Sequence, residues 1–80
     1  MHGFSIAEEL VRKVIGGCRD TGGRRIREIR VKCGRRVFTD ASELEEAYKL
    51  VAHDTPLDGV SLSIELVDGS DCIIDRIIYE

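Results

Sequence analysis

The 80-residue chain is short of most features that announce a chemistry. Its three cysteines, Cys18, Cys33 and Cys72, are an odd set with no C-x-x-C pair. That argues against a disulfide framework and against a four-cysteine zinc site within one chain. Each cysteine reads as a small buried hydrophobe. No apolar run approaches the roughly 20 residues of a membrane span. No charged, apolar and cleavage regions line up as a signal peptide. We therefore expect a soluble, cytoplasmic protein with no membrane role. The glycine pairs Gly16-Gly17 and Gly22-Gly23 lack the pattern of a phosphate-cradling loop. No nucleophile, base and carboxylate stand out as a set. Ser5 is better used as a helix cap, His53 as a helix C-cap or surface residue, and Asp68 and Asp71 as turn residues. An enzyme is not expected.

What is present is an ordinary globular composition. Apolar residues make up 42% of the chain, enough for a folded protein. Eighty residues make a single domain, 1–80, and so short a chain must bring most of its apolar residues to one core. Charge is uneven. From Arg24 to Arg36 seven bases (Arg24, Arg25, Arg27, Arg30, Lys32, Arg35, Arg36) face Glu28 alone, a local balance of +6 in a chain of net −3, so the remainder carries −9. No aromatic interleaves those bases, and the whole is acidic, which is a poor profile for nucleic-acid binding. A solvated strand face that resists edge pairing, or docking to an acidic protein, fits the run better.

Periodicity divides the chain into five elements. Ile6, Leu10, Val11, Val14, Ile15 and Cys18 form one helical stripe, and Ser5-x-x-Glu8 reads as a capping box, predicting a helix over 5–21 that either frays at Gly16-Gly17 or runs on to a stop at Gly22-Gly23. Ile29, Val31 and Cys33 alternate with charged residues as a strand over 25–33, from which Ile26 is out of step. Gly34-Arg35-Arg36 is a turn, after which Val37 and Phe38 pack back. Asp40 or Thr39 caps a second helix, with Asp40-x-x-Glu43 as a second capping-box pattern; its stripe is Leu44, Ala47, Tyr48 and Val51, with Leu50 partly buried. Thr55-Pro56 ends it near Ala52 or His53. Val60, Leu62, Ile64 and Leu66 alternate as a second strand, and Asp68-Gly69 reads as a hairpin connection to a third strand over 72–79. Cys72 and Ile74 share a face with Ile77 and Tyr79 only if a bulge lies near Asp75-Arg76. Otherwise both faces of that strand are apolar and one needs cover from another copy of the chain. The fold class is α+β: a two-layer α-β-α-β-β domain, a three-stranded sheet with two helices on one face. Strand order stays open, with the third strand a candidate for the centre.

One arrangement has intrinsic metal geometry. Met1 and His2 offer a terminal amine, an amide nitrogen and an imidazole, which close adjacent chelate rings around one ion. Planar nitrogen donors favour nickel(II) or copper(II). The metal displaces protons from amine and amide, so affinity rises with pH.

Several stretches together resemble the HypA/HybF family, nickel-insertion accessory proteins of nickel–iron hydrogenase maturation. They are Met1-His2, Ser5-Ile6-Ala7 and Leu10; Arg30-Val31-Lys32 before Gly34; and Leu44, Ala47-Tyr48, Leu50, Ala52 and Thr55-Pro56-Leu57 with Gly59. The spacing follows the family pattern from Met1 to about Glu65 and again through the third strand. The resemblance implies a metallochaperone that holds Ni(II) through Met1, His2 and the Gly3 backbone. It implies protein partners such as a hydrogenase maturation GTPase or the hydrogenase large subunit. The family's zinc ribbon, with two C-x-x-C pairs, normally interrupts the chain between the second and third strands. Here Asp68-Gly69-Ser70-Asp71 bridges that gap, so no structural zinc is expected. Family members usually read Met-His-Glu, and Gly3 removes the carboxylate. These two departures keep an alternative open: a scaffold or protein-interaction module that retains the fold without the metal. Its working surface would be the basic first strand or the apolar third strand, the latter as a homodimer.

Overall fold

The computed structural model describes residues 2–17 and 25–80, with His2 described by its backbone alone. Met1, Cys18, the expected helix end at Thr21, the Gly22-Gly23 stop and Arg24 lie outside those residues. The elements run α1 (His2–Gly17), β1 (Ile26–Gly34), α2 (Ala41–Ala52), β2 (Ser61–Val67) and β3 (Cys72–Tyr79).

The expected α+β class and element order hold. In α1, Ala7, Leu10, Val11 and Val14 turn one face inward and are buried. Glu9 and Lys13 pair at 3.2 Å one turn apart on the exposed side. The start differs from the sequence reading. The helix opens at His2, so Ser5 lies inside it and is exposed, and the Ser5–Glu8 capping box does not form. Tertiary contact overrides the local signal. A Cβ built on Gly3 would lie 3.5 Å from Glu43 Cγ and 3.6 Å from Ala47 Cβ, so the extra turn is seated on α2. In α2 the structure decides the cap for Asp40 over Thr39: Asp40 sits in extended conformation and its carboxylate accepts from Ser42 N at 3.0 Å. Leu44, Ala47, Tyr48 and Ala52 are buried, and the helix ends at His53 as Thr55-Pro56 requires. Leu50, expected to be partly buried, is 66% exposed, because the buried stripe runs through Tyr48 and Ala52 on the other side of it.

The sheet order is β2-β1-β3, with β1 in the centre. β1 pairs parallel with β2, reached through α2, and antiparallel with β3. β2 and β3 therefore do not form the expected hairpin. Asp-Gly does mark a turn, but here the 68–71 connection crosses the end of β1 instead of folding one strand onto the next. Three backbone bonds hold the crossing: Gly34 N to Asp71 O at 2.8 Å, Arg35 N to Val67 O at 2.8 Å and Arg36 N to Gly69 O at 3.2 Å.

Two register shifts settle which side chains face the helices. In the β1–β3 ladder, Arg30 opposes Arg76 while Val31 opposes Ile74, leaving Asp75 as the extra residue of a bulge. This is the alternative in which Cys72, Ile74 and Ile77 share one face, and all three pack on the core. A second shift, at Arg27, brings Ile26 back into step with Ile29. One core cluster results, with Phe38, Ile29, Leu44, Val14 and Val31 among its largest fully buried side chains. Of the third strand's isoleucines, Ile73 and Ile78 lie opposite Lys32 and Glu28 on the outer face.

Candidate metal centre

Of the residues that the sequence singles out, the His2 backbone and Gly3 are described at the amino-terminal end of α1. Met1 and the His2 imidazole lie outside the description. His2 begins the helix, and Gly3 is buried in its first turn. Amides of a helical first turn have no intrahelical acceptor, so the nitrogens of His2 and Gly3 are not committed to the helix ladder. The α1 start is held against α2 at Gly3, alongside the Glu43 side chain and Ala47. The sequence reading treated Gly3 as a backbone donor and as the loss of a carboxylate. The structure shows that it is also the contact by which this end docks on the body. It also shows that a carboxylate-bearing side chain, Glu43, runs beside it from the other helix. Nothing in the local sequence signals that neighbour, 40 positions away in the chain.

A second group of ligand-type atoms lies at the other end of α2. Asp54 adopts φ 60°, and its amide donates to Asp58 Oδ2 at 3.2 Å. Thr55 Oγ1 donates to Ala52 O at 2.6 Å and accepts from Leu57 N at 3.1 Å, which fixes the turn. His53 Nε2 then lies 3.5 Å from Asp54 Oδ2 and His53 Nδ1 3.6 Å from Asp58 Oδ2. One ligand atom from each residue falls within 4.8 Å of the others, the only such group of three among the described residues. All three are exposed, so as an ion pair with protonated His53 the group contributes at most about 1 kcal/mol. His53 is the C-cap, as expected. The gathering of Asp54 and Asp58 around it was missed, because the left-handed turn that folds them together carries no side-chain period.

The basic run is divided among local partners. Arg30 Nε binds Glu28 at 2.6 Å, Lys32 lies 3.9 Å from Asp75, and Arg35 lies 3.2 Å from Asp68. Glu28 raises the Arg30 pKa further through that hydrogen bond and its charge. Arg25, Arg27 and Arg36 are exposed. The described part of the run thus spreads along a charged strand and turn. Among the described residues no helix is long and apolar enough to cross a membrane.

Comparison with known proteins bears on the same residues. The family model described as HypA, hydrogenase/urease nickel incorporation, metallochaperone, matches residues 1–72. The hydrogenase maturation factor HypA of Methanopyrus kandleri is 26% identical over 69 residues, a match covering 86% of this chain and 49% of that protein. The chain thus spans about half the length of that curated relative.

Proposed function

Because the chain belongs to the HypA family of nickel-incorporation metallochaperones, we propose that it carries one nickel(II) ion at the amino-terminal end of α1. The ion is cargo. It passes by ligand exchange to a protein partner in hydrogenase maturation, and the chain itself catalyses no reaction. The observation that carries this reading is the start of α1 at His2. It leaves the His2 and Gly3 amides free of the helix ladder at the end of the chain that holds the imidazole and the Met1 amine. The donors are the Met1 amine, the His2 amide nitrogen and imidazole, and the Gly3 backbone. Nitrogen donors in a plane suit nickel(II). Docking of Gly3 on α2 supports the site by tying the donors to a folded body.

The partners in this reading are a maturation GTPase or the hydrogenase large subunit, met in the cytoplasm. No structural zinc enters it. Cys33 and Cys72 oppose each other on β1 and β3, and among the described residues no third ligand-type side chain gathers with them.

Nickel titration tests the proposal. Protein with a free Met1 amine is expected to take up about one equivalent with the absorption of a planar nitrogen site, more tightly as pH rises. His2→Ala, or one residue added before Met1, is expected to abolish that absorption. Equal binding by all three forms overturns the reading and favours the alternative, an interaction module without a metal task.

A further inference from the structure

Cys33 and Cys72 stand directly opposite each other in the antiparallel ladder of β1 and β3. The bond from Gly34 N to Asp71 O, 2.8 Å, joins the residue after Cys33 to the residue before Cys72. That bond sets the phase of the ladder. It makes Cys33–Cys72 a non-hydrogen-bonded pair, in which opposite Cα atoms stand about 4.5 Å apart and side chains approach most closely. A disulfide needs Cα atoms about 4.4–6.8 Å apart and Cβ atoms about 3.5–4.5 Å apart. The two strands are therefore already placed for a sulfur–sulfur bond. The Asp75 bulge lies beyond this pair and leaves its register intact.

The two thiols differ in access. Cys33 is fully buried. Cys72 is half-buried and lines a groove of about 570 Å³ between α1 and β3, beside Ile6, Leu10 and Ile74. Burial, then a hydrogen bond with Cys72, pushes the Cys33 thiol up to about 12. Cys33 is thus a protonated, shielded thiol against a reachable one.

We propose that Cys33 and Cys72 form a thiol-modification site that accepts a small-molecule disulfide at Cys72 and closes to a cross-strand disulfide. The Cys72 thiolate attacks one sulfur of the incoming disulfide. Its S–S bond breaks, one thiol leaves with a proton, and Cys72 carries a mixed disulfide. Cys33 then loses its proton and attacks the Cys72 sulfur, expelling the second thiol. The protein loses two electrons and two protons, and the small disulfide gains them as two thiols. The second step is the slow one, since the Cys33 thiolate is scarce at neutral pH.

Oxidised glutathione is the probe. Folded Cys18→Ala protein is incubated with it, quenched, alkylated under denaturing conditions and mass-analysed. We expect a transient glutathione adduct on Cys72, shorter-lived as pH rises. A species lighter by two hydrogens with no alkylatable thiol should replace it. Its Tm should rise on the order of 10 °C. Peptide mapping of the unsubstituted chain should show the same Cys33–Cys72 link. A stable adduct on Cys72 with Cys33 still alkylatable overturns the proposal, as does the absence of any reaction.

Discussion

Adding a single methyl group at Gly34 should destabilise the fold more than any other glycine substitution described. The connection from β2 to β3 passes directly over this residue. A Cβ there would lie 2.7 Å from Ser70 N and closer still to the carbonyl group of Gly69. Those atoms are backbone, so no side chain can rotate away. The constraint is space, because the positive-φ glycines are Gly59 and Gly69. To admit the methyl, the connection must lift by about 1 Å, which stretches the bonds from Gly34 N to Asp71 O and from Arg36 N to Gly69 O. Each lost backbone bond costs about 1 kcal/mol, and overpacking adds about 1–3 kcal/mol. The expected total is about 3–5 kcal/mol, a large share of the roughly 5–15 kcal/mol that a small domain has. At about 4–8 °C per kcal/mol, Gly34→Ala should lower Tm by at least about 12 °C. Urea or thermal unfolding followed by circular dichroism measures it. Gly16→Ala is the control: its Cβ meets nothing within 4 Å, and alanine is the better helix former by up to about 1 kcal/mol. A Gly34→Ala protein that melts within about 2 °C of the wild type would refute the steric reasoning.

Tyr48 donates to the Val60 carbonyl at 3.0 Å from a buried position. Tyr48→Phe should therefore cost about 0.5–1.5 kcal/mol in urea unfolding. Burial raises the Tyr48 hydroxyl to about 12, above its unfolded value of about 10. Its contribution is thus complete below about pH 10 and lost as pH climbs toward about 12, and the phenylalanine variant should show a shallower alkaline loss. The Asp40 carboxyl is held below its ordinary value by the Ser42 amide, so its stabilising effect is present above the unfolded pKa and disappears as pH falls through the folded one. Asp40→Ala should lower Tm at neutral pH and flatten the acid limb, whereas Asp40→Asn should keep most of the cap and lose only the pH dependence. For the nickel site, a competition titration across pH 6–9 should show affinity rising with pH and no such rise in His2→Ala.

Much of the scaffold was legible because it depends on local periods. The stripe Leu44, Ala47, Tyr48 and the alternation Ile29, Val31, Cys33 follow from 3.6 and 2 residues per repeat, and both are buried as written. Asp40 as a cap and His53 as the end of α2 follow from short-range backbone chemistry. The Met1-His2 donor set proposed for nickel is likewise a reading of the sequence, since it requires only neighbours in the chain. The start of α1 was misread because a capping box at Ser5 and a glycine seated on another helix look alike until that helix is in place. Leu50 was misjudged for a related reason: a stripe's width depends on what faces it.

Local sequence thus determined the element types, the apolar faces and the order of donor atoms at the amino terminus. Tertiary structure alone decided the central place of β1 and the crossing of the 68–71 connection over Gly34. It also decided the meeting of Gly3 with Glu43 and the pairing of Cys33 with Cys72. The physical reason is range. A helical or strand period is set by residues a few positions apart, whereas strand order and cross-strand partners are set by which apolar faces close one core together. At Gly3 both levels meet: the donors proposed for nickel are neighbours in the chain, and the surface against which Gly3 packs comes from α2.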